Sequence, residues 1–139
     1  GNKQIINKLK VFRSQIDYGV FLPVQYAAIA ALTGPLDVVE EQRQEYEKRN
    51  KMLCGGLRSI GWDVPDSQGT MFVWAKIPGK YKSSVEFCLD LMEKTGVIVT
   101  PGNAFGSRGE GYVRMALVVG EETISELLSV LEESNIFSK

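Results

Sequence analysis

The sequence predicts an α+β fold, because helical and strand-like hydrophobic patterns occupy separate stretches of the chain. Apolar residues three or four positions apart mark amphipathic helices near both ends, at about residues 2–16 and 124–131. Two stretches rich in β-branched and aromatic residues, 70–77 and 112–119, have the composition of strands. A long, largely polar helix is predicted between these regions, over about residues 36–60.

Length and composition narrow the class of protein. The chain has 139 residues, of which 44% are hydrophobic and 24% charged, the proportions of an ordinary soluble domain. Its net charge of −1 argues against a nucleic-acid partner. No apolar run has the length of a membrane span, and the first residues do not form a signal peptide. We therefore expect a cytoplasmic protein without a nucleic-acid or membrane partner.

The cysteine and histidine content limits the possible chemistry. Cys54 and Cys88 are far apart and lack metal-type spacing, so we interpret both as reduced core residues. The chain contains no histidine, which excludes Ser–His and Cys–His catalysis and most zinc sites. We therefore expect no metal.

The first third of the chain is predicted to contain two helices joined by the loop 17–22. Pro23 suits the first turn of the second helix, which should end at Gly34 and Pro35. This helix is apolar on nearly all sides, so it should be buried or pressed against another subunit.

The long helix at about 36–60 changes character along its length. Its first half is polar and carries charge pairs four residues apart, and its second half regains a core stripe. The pairs are Glu45 with Arg49 and Glu47 with Lys51, and the stripe is Leu53, Leu57 and Ile60. This pattern fits a helix that bridges two bodies, and it equally fits a solvated surface helix.

The part after Gly61 is predicted to form a small sheet of about three main strands with helices packed on it. Its predicted elements are a short strand at 62–64, a longer one at 70–77, a helix opened by Ser83 and ended by Gly96, a strand at 97–99, the strand from Tyr112 and a final helix. Val85, Cys88, Leu89 and Met92 should form the buried face of the Ser83 helix. Ile124, Leu127, Leu128 and Leu131 should form that of the last helix.

Arg114 is the main candidate functional residue, because it interrupts an apolar strand. Period-two alternation places it on one face with Tyr112, Ala116 and Val118. Its guanidinium is always charged and matches a carboxylate through two parallel hydrogen bonds. The local pattern allows either an ion pair within the protein or an anionic ligand.

Other candidates are weaker. The glycine-rich loop 101–111 joins strand to strand, so we interpret it as a hairpin connection and not as a phosphate site. Arg108 and Glu110 in this loop are expected to be solvated charges. Lys76 at a strand end is interpreted as structural and not as a Schiff-base lysine. The chain therefore offers a carboxylate receptor without a visible catalytic residue of its own.

Several stretches, in order along the chain, together resemble the C-terminal part of class I/II, fold type I, pyridoxal-phosphate-dependent aminotransferases. They are Gly1-Asn2 before a helix, Pro23-x-Gln25, Ala27-Ala28, Ala31-Leu32, Arg49 and Leu57 in the long helix, Gly69–Trp74, the Pro-Gly-x-x-Phe-Gly run that ends at Gly106, and Gly111–Ala116. The stretches 70–78 and 97–117 look closest to the aspartate and LL-diaminopimelate aminotransferase-like subgroup.

The resemblance implies a division of the chain. Residues 1–33 would be the C-terminal helical portion of the large, cofactor-binding domain. Residues 34–139 would form the small C-terminal domain, a mainly antiparallel sheet with packed helices, and would include the long bridging helix. The full-length protein would be a homodimer.

The resemblance also implies roles for particular residues. Arg114 would bind the α-carboxylate of the amino-acid or 2-oxo-acid substrate. Phe105 and Gly106 would close the mouth of the substrate site. The loop that contains Tyr18 and Phe21 would line the cofactor pocket of the neighbouring subunit.

One departure from the family pattern limits what the chain should do by itself. Family members hold pyridoxal 5′-phosphate on a lysine, usually in a Ser-x-x-Lys context, and this chain has no such motif. We expect a fragment that binds the substrate carboxylate and closes the site, binds no cofactor alone and is inactive alone, although the whole protein transfers amino groups. A non-catalytic amino-acid-binding regulatory domain is the alternative.

Overall fold

The computed structural model describes residues 1–137, and within them the α+β class is confirmed. The elements of this range are, in chain order, α1 (Lys3–Arg13), α2 (Leu22–Thr33), α3 (Asp37–Ser59), β1 (Phe72–Lys76), α4 (Ser84–Thr95), β2 (Thr100–Pro101), β3 (Tyr112–Ala116) and α5 (Glu121–Glu133). The chain divides into two compact units at residues 39 and 40, so that α3 begins in the first unit and continues in the second.

The first unit contains α1 and α2. The side chain of Asn2 caps α1 by accepting hydrogen bonds from the backbone N–H groups of Gln4 and Ile5, at 2.9 and 3.3 Å. Pro23 lies in the first turn of α2, and Gly34 caps its end, as predicted. Among the described residues, none in α1 or α2 is buried. Contact of α2 with another subunit stays a prediction.

Over residues 1–137 no single helix is both long and apolar enough to cross a bilayer. The bent pair α2 and α3 reaches the required length and hydropathy only when its two helices are taken together.

The second unit is built on a three-stranded antiparallel sheet of order β1-β3-β2. The central strand β3 pairs Arg114 with Trp74 on one side and with Thr100 on the other. Val73 and Ala75 of β1 alternate into the core, as do Val113 and Met115 of β3.

Two predicted strands are absent at their expected places. Residues 62–64 form no strand, because the backbone N–H of Trp62 donates to the carbonyl oxygen of Leu57 at the end of α3. The side chains of Trp62 and Val64 are buried in the core. The strand predicted at 97–99 forms instead at Thr100–Pro101, where β2 pairs with β3.

The core of the second unit lies between the sheet and the helices α3, α4 and α5. The predicted stripes of α3 and α5 are confirmed, since Leu53, Leu57, Ile124 and Leu131 are buried and Ile60, Leu127 and Leu128 pack against them. Trp62 stacks on Phe137 with ring centroids 4.6 Å apart and meets the edge of Phe87 at 5.4 Å.

The buried face of α4 differs from the prediction. Ser84, Phe87 and Leu91 are buried, whereas most of the predicted face is exposed. Both faces of this helix carry apolar residues, so periodicity alone could not select between them. The caps agree with the prediction: the Ser83 hydroxyl accepts from the N–H of Glu86 at 3.1 Å, and Gly96 ends the helix with φ of 71°.

The polar half of α3 contains the predicted ion pairs of Glu45 with Arg49 and of Glu47 with Lys51, at 2.8 and 2.5 Å. Arg49 also donates a hydrogen bond to the backbone oxygen of Leu117 at 3.1 Å. This half of α3 is therefore fixed to the chain that follows β3. The predicted domain boundary at residues 33 and 34 stays a prediction.

Candidate functional site

Arg114 lies at the centre of the sheet, on the face opposite the core. Its neighbours in β3, Val113 and Met115, are buried on the core side, so alternation directs Arg114 to the other face. There it is half-buried, in register with Trp74 and Thr100 on the adjacent strands. The predicted shared face with Tyr112 and Ala116 is present within β3.

Two phenylalanine rings contact the Arg114 guanidinium. Its central carbon lies 4.1 Å from the centroid of the Phe72 ring and 4.4 Å from that of Phe105. A guanidinium stacks on aromatic faces through cation–π attraction and keeps its N–H donors at the edge of its plane. The rings therefore fix the position of the charge without using its hydrogen-bonding capacity.

The charge of Arg114 has no counterpart in the described chain. The ion pairs formed within residues 1–137 involve other cations, and none of the side-chain hydrogen bonds there has the Arg114 guanidinium as donor. An ion pair within the protein, one of the two sequence-based interpretations, is thus not formed in this part of the chain. The guanidinium keeps donors for an external anion.

Further aromatic rings border the same place. Trp74 and Tyr112 stack with centroids 5.7 Å apart at 19°, and Phe105 meets Trp74 edge-on at 5.9 Å. Trp74 and Phe105 thus extend the aromatic surface next to Arg114.

A cleft of about 620 Å³ lies between α3 and the segment before β1, from Asp66 to Met71, and its lining does not include Arg114. Arg114 instead lies on the sheet face opposite the core. A ligand held there would need additional walls from outside this sheet to be enclosed.

The loop between β2 and β3 is compact, and it is a strand-to-strand connection as predicted. It forms two short 3-10 turns, Gly102–Phe105 and Ser107–Gly109. The backbones of Gly102 and Gly109 are so close that a Cβ on either would overlap the carbonyl of the other. Gly106, between the turns, has φ of 112°, which favours glycine.

Glu110 at the end of this loop is exposed to solvent, as expected, and its carboxylate is in addition hydrogen-bonded within the protein. Its Oε1 accepts hydrogen bonds from the Ser84 N–H at 2.6 Å, the Ser84 hydroxyl at 2.9 Å and the Gly111 N–H at 3.0 Å. These bonds, led by that from the Ser84 N–H, hold the pKa of the Glu110 carboxyl below its usual range. The loop is thereby attached to the first turn of α4.

The other predicted site residues are placed as follows. Phe105 is brought against Arg114, and Gly106 follows it directly in the loop. Tyr18 and Phe21 are exposed in the first unit. Their roles at a substrate or cofactor site stay predictions.

The structure adds two residues that the sequence-based prediction of the site missed. Phe72 and Trp74 share the Arg114 face through the register of β1 and β3. Their two-residue spacing was a usable signal, but the pairing register was needed to place them beside Arg114.

Every lysine within residues 1–137 is exposed to solvent, so none is enclosed as a Schiff-base lysine would be. In the same range no three acidic or cysteine side chains are grouped so as to hold a metal ion. What the site residues do fit is a carboxylate.

The family comparison gives a match over most of the chain. The family model described as "Aminotransferase class I and II" matches residues 1–131.

Among curated proteins, the chain is 47% identical over 136 residues to the LL-diaminopimelate aminotransferase of Halothermothrix orenii, covering 98% of the chain and 35% of the relative. It is 39% identical over 130 residues to the glutamate-pyruvate aminotransferase AlaC of Escherichia coli, covering 92% of the chain and 32% of that protein. The chain thus spans about a third of the length of these relatives.

Solved structures give the same result. The apo structure of BacF from Bacillus subtilis superposes with a TM-score of 0.88 at 33% identity, over 100% of the chain and 36% of that structure. An aminotransferase from Staphylococcus aureus gives 0.88 at 29% identity, over 100% of the chain and 37% of that structure.

Proposed function

The chain belongs to the class I and II aminotransferase family, and we propose that its Arg114 binds the α-carboxylate of the amino-acid and 2-oxo-acid substrates. The observation that carries this proposal is that the guanidinium contacts the rings of Phe72 and Phe105 and has no carboxylate partner among residues 1–137. The full-length protein would transfer an amino group between the two substrates.

The physical argument concerns what a fixed cation does for a small substrate. A carboxylate received by two parallel N–H donors is held in one orientation, because the guanidinium plane sets the plane of the carboxylate. The Cα atom next to that carboxylate is then held in one place. Such positioning makes a reaction at Cα effectively unimolecular.

The loop that carries Phe105 and Gly106 would complete the site. Phe105 lies against the guanidinium and is about half exposed, so a bound substrate would cover part of its ring. Closure over the substrate would expel water from the Arg114 face and strengthen the carboxylate contact.

The cofactor would be held mainly by residues outside this chain. Pyridoxal 5′-phosphate, when bound, supplies the electron sink that makes the Cα–H bond acidic. The residues described here would contribute substrate orientation and water exclusion, because their lysines are exposed.

We further propose that the full-length protein is a cytoplasmic homodimer. The exposed apolar side chains of α2 support burial against protein outside this unit. The loop with Tyr18 and Phe21, whose rings are also exposed, would line the partner's cofactor pocket. The free cysteines Cys54 and Cys88 are consistent with a reducing compartment. Sedimentation of the full-length protein would test the dimer.

The experiment that tests the activity is an amino-transfer assay of the full-length protein with added pyridoxal phosphate. The names of the relatives suggest the first substrates to test: LL-diaminopimelate as an amino donor, and glutamate with pyruvate as a pair. We expect a new amino acid to form from at least one pair in a broad panel of donors. Absence of transfer from every donor, in protein that binds the cofactor, would refute the proposal.

A second candidate is a regulatory domain that binds an amino acid through Arg114 without catalysis. The self-contained core of the second unit favours it, because that unit could fold without the rest of an enzyme. Calorimetry of residues 1–139 with amino acids separates the two. Appreciable binding without cofactor would favour the regulatory domain, and its absence would favour the enzyme.

A further inference from the structure

The position of Phe105 depends on the shape of the loop that carries it. The loop runs from β2 to β3, and Phe105 closes its first turn. Within the loop, the N–H of Gly106 donates to Asn103 at 3.1 Å and the N–H of Gly109 donates to Gly106 at 2.9 Å. These bonds give the loop its local shape but do not attach it to the rest of the unit.

A cluster around Ser84 provides an attachment. Glu110 accepts three hydrogen bonds there, and the Ser84 hydroxyl also accepts one from the Gly111 N–H at 2.9 Å. Ser84 is fully buried at the first turn of α4, so the cluster joins the loop to the packed part of the unit. Gly111 in turn accepts from the N–H of Ile77, which lies directly after β1.

We infer that Glu110 is a positioning residue for the carboxylate site, because its bonds to α4 fix the loop that holds Phe105 against Arg114. This inference rests on the proposed function and deepens it. Glu110 touches neither the guanidinium nor its rings, and it acts only through the place of the loop.

The negative charge of Glu110 matters for this role. One carboxylate oxygen of Glu110 accepts hydrogen bonds from two backbone N–H groups and one hydroxyl. Hydrogen bonds to a charged acceptor are about twice as strong as those between neutral groups. The cluster also lies at the N-terminal end of α4, where the helix dipole favours an anion. A neutral side chain at position 110 would weaken the attachment without removing any atom of the carboxylate site.

The test compares Glu110→Ala with wild type in the full-length enzyme. Arg114 holds the carboxylate both before and during reaction, so a displaced loop should raise KM and leave kcat nearly unchanged. We expect KM for the amino-acid substrate to rise roughly five- to tenfold, with kcat within about twofold. Glu93→Ala is the matched control, since the Glu93 side chain is exposed on α4 and forms no ion pair or hydrogen bond within residues 1–137. This control should leave both constants unchanged.

A double-mutant cycle with Arg114→Ala separates positioning from a general structural effect. If Glu110 acts through the Arg114 site, the Glu110→Ala change should no longer alter kcat/KM once Arg114 is absent. An equal loss in both backgrounds would overturn the inference. If Glu110→Ala does not fold, Glu110→Gln takes its place in the same cycle, because glutamine keeps the length of the side chain.

The inference and the proposed function fail in different ways. A wild-type protein that binds cofactor but transfers no amino group refutes the function. A wild-type protein that is active, with Glu110→Ala unchanged in KM, refutes only the role of Glu110.

Discussion

The guanidinium carbon of Arg114 lies 4.4 Å from the centroid of the Phe105 ring. The central strand β3 and the loop that precedes it are therefore in contact at this side chain. Phe72 contacts the same guanidinium from the neighbouring strand at 4.1 Å. The charge is therefore held by aromatic faces while its donors stay free for an anion. This arrangement is the basis of the following predictions.

Replacing Phe105 should weaken substrate binding more than folding. Phe105→Ala removes one ring from the guanidinium, and cation–π contacts contribute about 0.5–2 kcal/mol. We expect KM for the amino-acid substrate of the full-length enzyme to rise between roughly twofold and thirtyfold by the same estimate. Steady-state kinetics measures this change. Ile98→Ala removes another exposed apolar side chain and should leave KM unaltered, and equal values for the two variants would contradict the prediction.

The close approach of Gly102 and Gly109 should make either position intolerant of alanine. A Cβ at Gly109 would overlap the backbone of Gly102, which has no flexible side chain to move aside. Gly109→Ala should therefore lower the melting temperature of the full-length protein and raise KM through the displaced loop.

Gly55→Ala is a control that should change the melting temperature in the opposite direction. Gly55 lies inside α3, and a Cβ there would meet no atom within 4 Å. Gly55→Ala should stabilise the protein by about 0.5–1 kcal/mol through helix propensity. Scanning calorimetry would contradict this account if both alanine variants shifted the melting temperature in the same direction.

Acid should weaken the attachment of the loop at Glu110. Its pKa is lowered in the folded state by the bonds from Ser84 and Gly111, while an unfolded glutamate titrates near 4.3. A lowered folded pKa contributes stability above the unfolded pKa, and this stability is lost as the pH falls through the folded pKa. Glu110→Gln removes the titration, so its stability should fall less than that of wild type between pH 7 and 3.

Urea unfolding at a series of pH values measures that difference. Glu93→Gln is the reference, because Glu93 is exposed and outside any ion pair of the described chain. Parallel pH profiles for wild type and Glu110→Gln would show that Glu110 contributes nothing to the acid sensitivity.

The sequence predicted much of the fold because local signals act over short distances. The start of α2 at Pro23, the Ser83 cap and the stripes of α3 and α5 follow from turn chemistry and period 3.6. The buried face of α4 was missed because both of its sides are apolar. Packing against Trp62, Tyr81 and Phe137 places Phe87 on the buried side.

The site was predicted in part. Arg114 was found because a charge in an apolar strand stands out in the sequence. Phe72 required knowledge of the pairing register, and Glu110 required the contact of a loop with a helix that precedes it in the chain. Such long-range contacts leave no periodic signal in one sequence.

The central claim is that Arg114 binds the substrate carboxylate, and its most direct test is the kinetics of Arg114→Ala and Arg114→Lys in the full-length enzyme. Loss of one partner of a hydrogen-bonded charge pair costs about 2–5 kcal/mol, so Arg114→Ala should lower kcat/KM by roughly thirtyfold or more. Arg114→Lys should recover part of this loss, since it keeps the charge without the planar fork. The absorbance of bound pyridoxal phosphate should stay unchanged in both variants. Wild-type kcat/KM in Arg114→Ala would contradict the account.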